Sequence, residues 1–174
     1  MINPWKKIKE ENYKAGFRKL IKRTFELPDG NNKEFDVAND GNVACCVILT
    51  ADATVILTKQ FRPGPEKVLM ELVGGFIDSG ESPDAAMKRE LLEETGYDGN
   101  LIPIGTSYLS AYSTMVKHIY LVKDARKLQE PKHDDEEFME LIEMPLKEFR
   151  KHVLSGQMTD TEAGFMVMHH LHLL

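Results

Sequence analysis

The chain has 174 residues, enough for one domain with a sizeable hydrophobic core. Its formal net charge of -6 argues against a general nucleic-acid-binding surface, and no apolar run is long enough to span a bilayer. The N-terminus lacks an apolar secretory core, and the adjacent cysteines Cys45 and Cys46 lie in an apolar run, where burial is expected rather than a disulfide. We therefore predict a cytoplasmic protein with no membrane and no nucleic-acid partner.

The first part of the chain predicts extended segments separated by turns. Such segments are expected at 15–27, 33–37, 43–50, 54–61 and 67–72. The turn signal Pro28-Asp29-Gly30 separates the first two, and the third and fourth are predicted to form a hairpin. The fifth leads into a loop that contains Gly74 and Gly75, whose backbones are free to make tight turns.

A helix is predicted directly after this glycine loop. Ser82 is a good N-cap residue, Pro83 suits the first helical position, and Gly96 supplies a C-terminal stop. Leu91 and Leu92 are expected to point away from the acidic residues of the helix, so that one side is buried while the other faces a site.

The rest of the chain mixes strands and helices without regular alternation. Strands are predicted at 101–108, 118–122 and 140–144, and a helix at 145–154. The capping-box sequence Thr159-Asp160-Thr161-Glu162 predicts the start of a last helix. This order of elements indicates an α+β sandwich rather than a doubly wound sheet.

Three glutamates of the predicted helix, Glu90, Glu93 and Glu94, recur at i, i+3 and i+4 and fall within an arc of about 100°. Like charges on one helix face repel, so this arrangement costs stability unless a cation binds there, and hard divalent cations prefer carboxylate oxygens. Taken alone, the three are typical of a solvated helix face. Their fixed spacing to Glu81 and Arg89 favours a metal site instead.

These residues carry a resemblance to the Nudix box, G-x5-E-x7-R-E-U-x-E-E-x-G-U, in which U is a bulky apolar residue. The matching positions are Gly75, Glu81, Arg89, Glu90, Leu91, Glu93, Glu94 and Gly96. Tyr97 departs mildly at the last position and keeps the bulk. The resemblance implies a hydrolase of a nucleoside diphosphate linked to another group, with a loop and helix that bind Mg²⁺ (or Mn²⁺) against the pyrophosphate.

The box also suggests a division of roles among its residues. Glu90 and Glu94, one turn apart, are the first candidates for metal ligands, and Glu93 is a second ligand or holds the metal through water. The resemblance adds the backbone carbonyl of Gly74. Arg89 is expected to orient a box glutamate by a charge-assisted hydrogen bond, and Glu81 to hold the loop against the helix.

Outside the box, the chain resembles the ADP-ribose pyrophosphatase branch of the family. The resemblance rests on Gln60-Phe61-Arg62 and on Glu71-Leu72-Val73-Gly74-Gly75. It implies a Nudix-type α/β/α sandwich with a mixed sheet, a strand-rich N-terminal arm at 1–38, a hydrolase core at 39–174 and a homodimer built with the arm.

Residues that would bind substrate are predicted on the same basis. Arg62 is a candidate phosphate or ribose ligand through its planar fork, and Glu71 a further substrate-binding candidate. Trp5, reaching from the neighbouring subunit, and Tyr112 are candidates for stacking on the nucleobase, with packing roles as the alternative. The acidic stretch 134–137 stands where the branch carries its catalytic base, which aligns with Glu137, with Asp135 as the second choice.

The chain departs from the branch where the terminal ribose is usually covered. Residues 110–115 lack the usual Pro-Gly pair, and Val73-Gly74 stands where Pro-Ala is commoner. ADP-ribose is therefore the first substrate hypothesis, with another ADP-sugar, a GDP-sugar or a dinucleotide as alternatives. A non-catalytic nucleotide-sensing domain is the second hypothesis, although a sensor has no need to retain all the acidic residues of the box.

Overall fold

The structure is a computed structural model and describes residues 5–16, 18–132 and 138–174. The chain divides into two compact units. The N-terminal unit consists of Met1–Asn42 and Tyr108–Val116, and the core unit of Val43–Ser107 and Lys117–Leu174. Residues 108–116 are thus grouped with the N-terminal strands.

The N-terminal unit contains a three-stranded antiparallel sheet in the order β1-β2-β3. Its strands are β1 (Lys6–Ala15), β2 (Arg18–Glu26) and β3 (Asn32–Ala38). The predicted turn between β2 and β3 is confirmed: the N–H of Gly30 donates to Leu27 O at 2.9 Å, with Gly30 at φ +82°. Glycine suits this left-handed conformation because it has no Cβ.

The family resemblance implies strands in the arm at 1–38, but the residue pattern does not predict β1. It is rich in lysine and glutamate and has no alternating apolar face, which is the usual strand signal. In the structure its charges pair with β2, as in the ion pairs Lys6–Glu26 at 3.3 Å and Glu10–Arg23 at 2.7 Å. Opposite charges that face each other across two paired strands stabilise the sheet modestly. These ion pairs can be recognised only once the pairing of β1 with β2 is known.

The core unit is built on a seven-stranded mixed sheet. Its strands are β4 (Val43–Thr50), β5 (Thr54–Arg62), β6 (Lys67–Glu71), β7 (Val73–Phe76), β8 (Tyr97–Tyr108), β9 (Val116–Lys127) and β10 (Met139–Pro145). The order is β10-β5-β4-β9-β8, with β6 paired to β5 and β7 paired to β4. Strand β4 runs parallel to β9 and antiparallel to β5 and β7, which makes the sheet mixed, as predicted.

The predicted hairpin of β4 and β5 is present, but the two strands pair only near the turn, at Ile48↔Ile56 and Leu49↔Val55. Beyond these pairs β4 takes β7 as its neighbour, so that Gly74 lies opposite Cys45. The sequence predicts a loop here, because glycines weaken a strand. In the structure glycine at position 74 lets strand β7 approach β4 closely, since a Cβ on Gly74 would lie 2.2 Å from Ala44 O.

Helices cover both faces of this sheet. The first is α1 (Pro83–Thr95), and the other two are α2 (Leu146–Ser155) and α3 (Thr161–His170). Successive residues of β4 are buried against opposite layers, because side chains alternate across a strand. Cys45, Val47 and Leu49 pack with α2 and α3, whereas Ala44, Cys46 and Ile48 pack with α1. The predicted α/β/α sandwich is confirmed, and both cysteines are buried and free, as expected.

The ends of α1 follow the sequence signals. The hydroxyl of Ser82 accepts a hydrogen bond from the N–H of Ala85 at 3.2 Å, and Pro83 occupies the first turn. Gly96 ends the helix at φ +71°, where its N–H donates to Leu92 O. A Cβ on Gly96 would also lie 2.0 Å from Gln129 O, so glycine is required here for space as well as for conformation.

The last helix starts where the capping-box sequence predicts it, but Thr159 is not its N-cap. The N-cap residue is Asp160, and the side chain of Thr159 does not cap the helix. Both the N–H and the hydroxyl of Thr159 donate to Glu71, and Glu162 accepts from Lys117. Tertiary partners compete successfully for the two side chains that a capping box would pair locally.

Across the described part of the chain, no helix combines the length and apolar character needed to cross a bilayer. The longest, α1, has 13 residues, and a membrane-spanning helix needs about 20.

Candidate active site

The glycine backbone of β7 lies directly against the carboxylates of α1. A Cβ on Gly75 would lie 2.2 Å from Glu90 Oε1, so any side chain at this position would displace the Glu90 carboxylate. The N–H of Gly74 donates to Glu94 Oε2 at 3.2 Å. The residues predicted as metal ligands, Glu90, Glu94 and Gly74, are therefore neighbours across the junction of strand and helix.

Glu94 is 8% exposed and lies on the buried side of α1 with Leu91. The sequence places all three glutamates on the side opposite the leucines, which is wrong for Glu94. A buried carboxylate needs hydrogen-bond donors, and the N–H of Gly74 provides one. Glu93 keeps the predicted exposed position, with half of its side chain accessible.

Arg89 connects the acidic residues of the box. Its Nε and Nη2 donate to the two oxygens of Glu81 at 3.2 and 3.1 Å, a bidentate pair. Its Nη1 donates to Glu90 Oε1 at 2.8 Å and to Glu93 Oε2 at 3.3 Å. Nη2 also donates to Phe76 O at the end of β7, so this one guanidinium joins loop, strand and helix.

The hydrogen bonds from Arg89 hold the pKa of Glu81 below its usual value near 4.5. The same hydrogen bonds raise the pKa of Arg89, so both groups are charged at neutral pH. Glu81 Oε2 also accepts from the N–H of Asp78 at 3.2 Å, which connects the loop before α1 to the Glu81–Arg89 pair. Glu81 therefore has the geometry expected of a residue that holds the loop.

The cluster carries more negative charge than Arg89 can balance. Arg89 is bound to Glu81, Glu90 and Glu93, and Glu94 adds a fourth carboxylate. Within the ranges the structure describes, no three acidic, histidine or cysteine side chains surround one point closely enough to hold a metal. The donor set nevertheless fits a hard divalent cation, because its oxygens are carboxylates and its surplus charge is negative.

A second cluster surrounds Arg62, at the end of β5. Arg62 Nε donates to Glu71 Oε2, and Glu71 Oε1 accepts from the hydroxyl and, at 3.2 Å, from the N–H of Thr159. Glu71 is completely buried, whereas the side chain of Arg62 is 38% exposed. Of the two predicted substrate residues, Arg62 therefore faces outward and Glu71 lies beneath it. The sequence did not identify Thr159 as their partner.

A buried lysine near this cluster also escaped the sequence analysis. Lys117 Nζ lies 2.6 Å from Asp160 Oδ1 and 2.6 Å from Glu162 Oε1, with its side chain 5% exposed. Burial by itself lowers the pKa of Lys117, but the two carboxylates raise it well above its usual value. No local signal predicts this cluster, because Lys117 is more than 40 residues away from both partners in the chain.

Trp5 and Tyr112, the predicted base-stacking residues, both line one cavity of about 310 Å³ in the N-terminal unit. Phe35 lies between them, with ring centroids 6.0 Å from Trp5 and 6.4 Å from Tyr112. Arg23 and Phe25 line the same cavity. The cavity falls within the size range of about 300–1,000 Å³ typical of small-molecule sites.

The predicted catalytic base, Glu137, and its alternative, Asp135, lie outside the described residues. Their role therefore stays a prediction from the sequence.

Comparison with known proteins gives three findings. The family model of the NUDIX domain matches residues 40–163. The chain is 26% identical to the ADP-ribose pyrophosphatase of Bacillus subtilis (strain 168), over 92% of this chain and 89% of that protein. It is 27% identical to the GDP-mannose pyrophosphatase of Yersinia enterocolitica, over 88% of this chain and 87% of that protein.

A solved structure described as an ADP compounds hydrolase matches with a TM-score of 0.81 and 19% identity, covering 98% of this chain and 96% of that chain. At this identity the match bears on the fold alone.

Proposed function

The chain belongs to the Nudix family and is a hydrolase of that family, and from this premise we propose that it cleaves the pyrophosphate bond of an ADP-sugar, with ADP-ribose as the first candidate. The products would be AMP and a sugar phosphate. We further propose Mg²⁺ as the cofactor, with Mn²⁺ as a substitute.

The Arg89-centred cluster is the observation that carries this proposal. It holds Glu90 and Glu93 in place from one guanidinium, while the Gly74 N–H holds Glu94. The box thus places four carboxylates close to one guanidinium. Such an arrangement destabilises the helix on its own and becomes favourable when a cation binds.

In the proposed reaction, Glu90 and Glu94 would hold the cation, with Glu93 and the carbonyl of Gly74 as further ligands. Arg89 would keep the carboxylates oriented, and Glu81 would keep Arg89 oriented. When bound, the cation neutralises charge on the phosphoryl oxygens. Glu137, or else Asp135, would accept the proton of the attacking water.

Arg62 is proposed to bind a phosphate of the substrate. Its Nε is bound to Glu71, and its two outer nitrogens make no hydrogen bond to any residue that the structure describes. A guanidinium held at Nε presents its Nη1 and Nη2 groups together, which suits bidentate binding of an anion. Glu71, being buried, would support Arg62 rather than touch the substrate.

The aromatic cavity of the N-terminal unit is proposed to bind the nucleobase. Trp5 is 45% and Tyr112 60% exposed, so each has ring surface available for a planar ligand. Stacking of a base on an aromatic side chain contributes about 1–3 kcal/mol. A Trp5→Ala variant should therefore raise KM by about fivefold or more, whereas kcat should change little.

A homodimer built with the N-terminal strands is also proposed, on the family resemblance and on the exposed rings of this unit. Sedimentation equilibrium would decide it, since a monomer mass at micromolar concentration contradicts the proposal.

The relatives favour one alternative substrate class. Because the chain matches an ADP-ribose pyrophosphatase and a GDP-mannose pyrophosphatase at similar identity, a GDP-sugar is the second candidate.

The deciding experiment is a substrate panel. Purified protein with Mg²⁺ would be incubated with ADP-ribose, GDP-mannose, NADH and diadenosine polyphosphates, and the products identified by mass spectrometry. We expect AMP from ADP-ribose at the highest kcat/KM. Faster cleavage of GDP-mannose would replace the first candidate by the second. Tight binding measured by calorimetry with no product from any compound would indicate a nucleotide sensor instead.

A further inference from the structure

The carboxylate of Glu71 is held from two sides. It is completely buried, so water cannot satisfy it. Arg62 Nε binds one oxygen, and the N–H and hydroxyl of Thr159 bind the other. A buried carboxylate is tolerated only when donors surround it, and these donors come from segments that are distant in sequence.

Thr159 is itself held firmly in the segment between α2 and α3. Met158 before it is buried in the hydrophobic core. Asp160 after it binds the buried Lys117 at 2.6 Å. With a fixed residue on each side, Thr159 offers its two donors to Glu71 in one defined position.

The position of Glu71 in turn fixes Arg62. A free arginine side chain samples many rotamers, and ordering it on binding costs conformational entropy. A hydrogen-bonded pair with a buried carboxylate removes most of this freedom before any ligand arrives. The outer nitrogens of the guanidinium then point in one direction.

We propose that Thr159 is a positioning residue for Arg62, acting through the buried carboxylate of Glu71, and that it thereby sets the affinity for the diphosphate of the substrate. The effect on diphosphate affinity rests on the proposed function, because it takes Arg62 as a phosphate ligand. The hydrogen-bonded path from Thr159 through Glu71 to Arg62 does not depend on that function and can be tested separately.

The first experiment observes Arg62 directly. The Nε–H of Arg62, assigned in a ¹H–¹⁵N spectrum by its loss in Arg62→Ala, should exchange slowly with water because it is hydrogen-bonded. Thr159→Val removes the hydroxyl at nearly constant shape and should accelerate this exchange by about tenfold. Thr159→Ser retains the hydroxyl and should restore slow exchange.

Thr161→Val is the matched control. It removes a hydroxyl hydrogen bond from the same segment without touching Glu71. The exchange of the Arg62 Nε–H should therefore stay as in the unmodified protein. Equal acceleration in Thr161→Val and Thr159→Val would overturn the proposal, because it would indicate general loosening of the segment.

The second experiment measures substrate affinity. With ADP-ribose and saturating Mg²⁺, Thr159→Val should raise KM by about fivefold to tenfold and leave kcat and the Mg²⁺ requirement nearly unchanged. In an Arg62→Ala background, the same substitution should have no further effect on KM, because the residue that it positions is gone.

A KM increase that persists in the Arg62→Ala background would show that Thr159 acts by another route and would overturn the proposal. An unchanged KM in Arg62→Ala alone would overturn the role of Arg62 as a phosphate ligand and the consequence for affinity. If the unmodified protein cleaves no compound of the panel, the proposed function fails, and the exchange measurement still decides whether Thr159 positions Arg62.

Discussion

The two charged clusters of the core unit differ in both their charge balance and their origin in the chain. In the box, Arg89 pairs with three of four glutamates that lie within a span of 14 residues, from Glu81 to Glu94. In the other cluster, Arg62 and Lys117 are distributed among three carboxylates that come from distant segments. By formal charge, the first cluster has four carboxylates to one guanidinium, and the second has three carboxylates to two cations.

This difference assigns different roles to the two clusters. Closely spaced like charges repel in the folded protein, and such a concentration is typical of a site where a charged ligand binds. In the nearly balanced cluster, the buried Glu71 and Lys117 have hydrogen-bonded partners, which fixes the arrangement of strands and helices. We therefore expect substitutions in the box to change metal-dependent turnover, and substitutions in the buried cluster to change stability or the position of Arg62.

The largest effect is expected from Lys117→Met. It leaves Asp160 and Glu162 without their buried cation, and breaking a buried ion pair in this way costs about 3–5 kcal/mol of unfolding free energy. Urea unfolding would measure the loss. At a temperature where the variant stays folded, the Mg²⁺ concentration for half-maximal activity should be unchanged, and a large shift in it would contradict the division between the clusters.

Glu94→Gln should lower turnover and leave stability nearly unchanged, whereas Lys117→Met should lower stability. Loss of one carboxylate ligand is expected to lower kcat by at least about 100-fold, which corresponds to about 2.7 kcal/mol in the transition state. The unfolding midpoint should stay close to that of the unmodified protein. Glu148→Gln, an exposed helical glutamate paired with Lys151, is the matched control and should keep full activity. Full turnover in Glu94→Gln would refute its assignment as a ligand.

A smaller effect is expected from Arg89→Lys. Lysine keeps the charge but cannot form the bidentate pair with Glu81 while also reaching Glu90 and Glu93. Partners that orient metal ligands are worth about 10–100-fold in metal affinity or activity. We expect about a tenfold higher Mg²⁺ requirement in activity assays, partly relieved at saturating Mg²⁺. An unchanged Mg²⁺ requirement would show that Arg89 does not orient the ligands.

The smallest effect concerns the pH dependence of stability. Because Arg89 lowers the pKa of Glu81 in the folded protein, this carboxylate favours folding above about pH 4.5, and the contribution is lost as pH falls through the lowered pKa. Between about pH 5 and pH 3, the unmodified protein should therefore lose stability more steeply than Glu81→Gln in urea unfolding. Parallel curves would show that the pair does not favour the charged form of Glu81.

The box was predictable because its chemistry is local. Helical periodicity brings Glu90 and Glu94 together whatever the rest of the chain does, and Ser82 and Gly96 mark the helix ends. Strand β7 was missed because the reason for its glycines lies in β4 and α1, which come close only in the folded chain. Thr159 was misassigned because its local capping signal is overridden by Glu71, 88 residues away.

By itself the sequence determined the family resemblance, the reaction class, the helix with its carboxylates, and the burial of both cysteines. Each of these depends on residue type at short spacing, which the backbone geometry of a helix or strand converts directly into position. Only the tertiary structure decided that Glu94 is buried, that Glu71 lies beneath Arg62, and that Lys117 neutralises the residues at the start of α3. Those outcomes depend on which distant segments meet and on the requirement that every buried charge find a partner there.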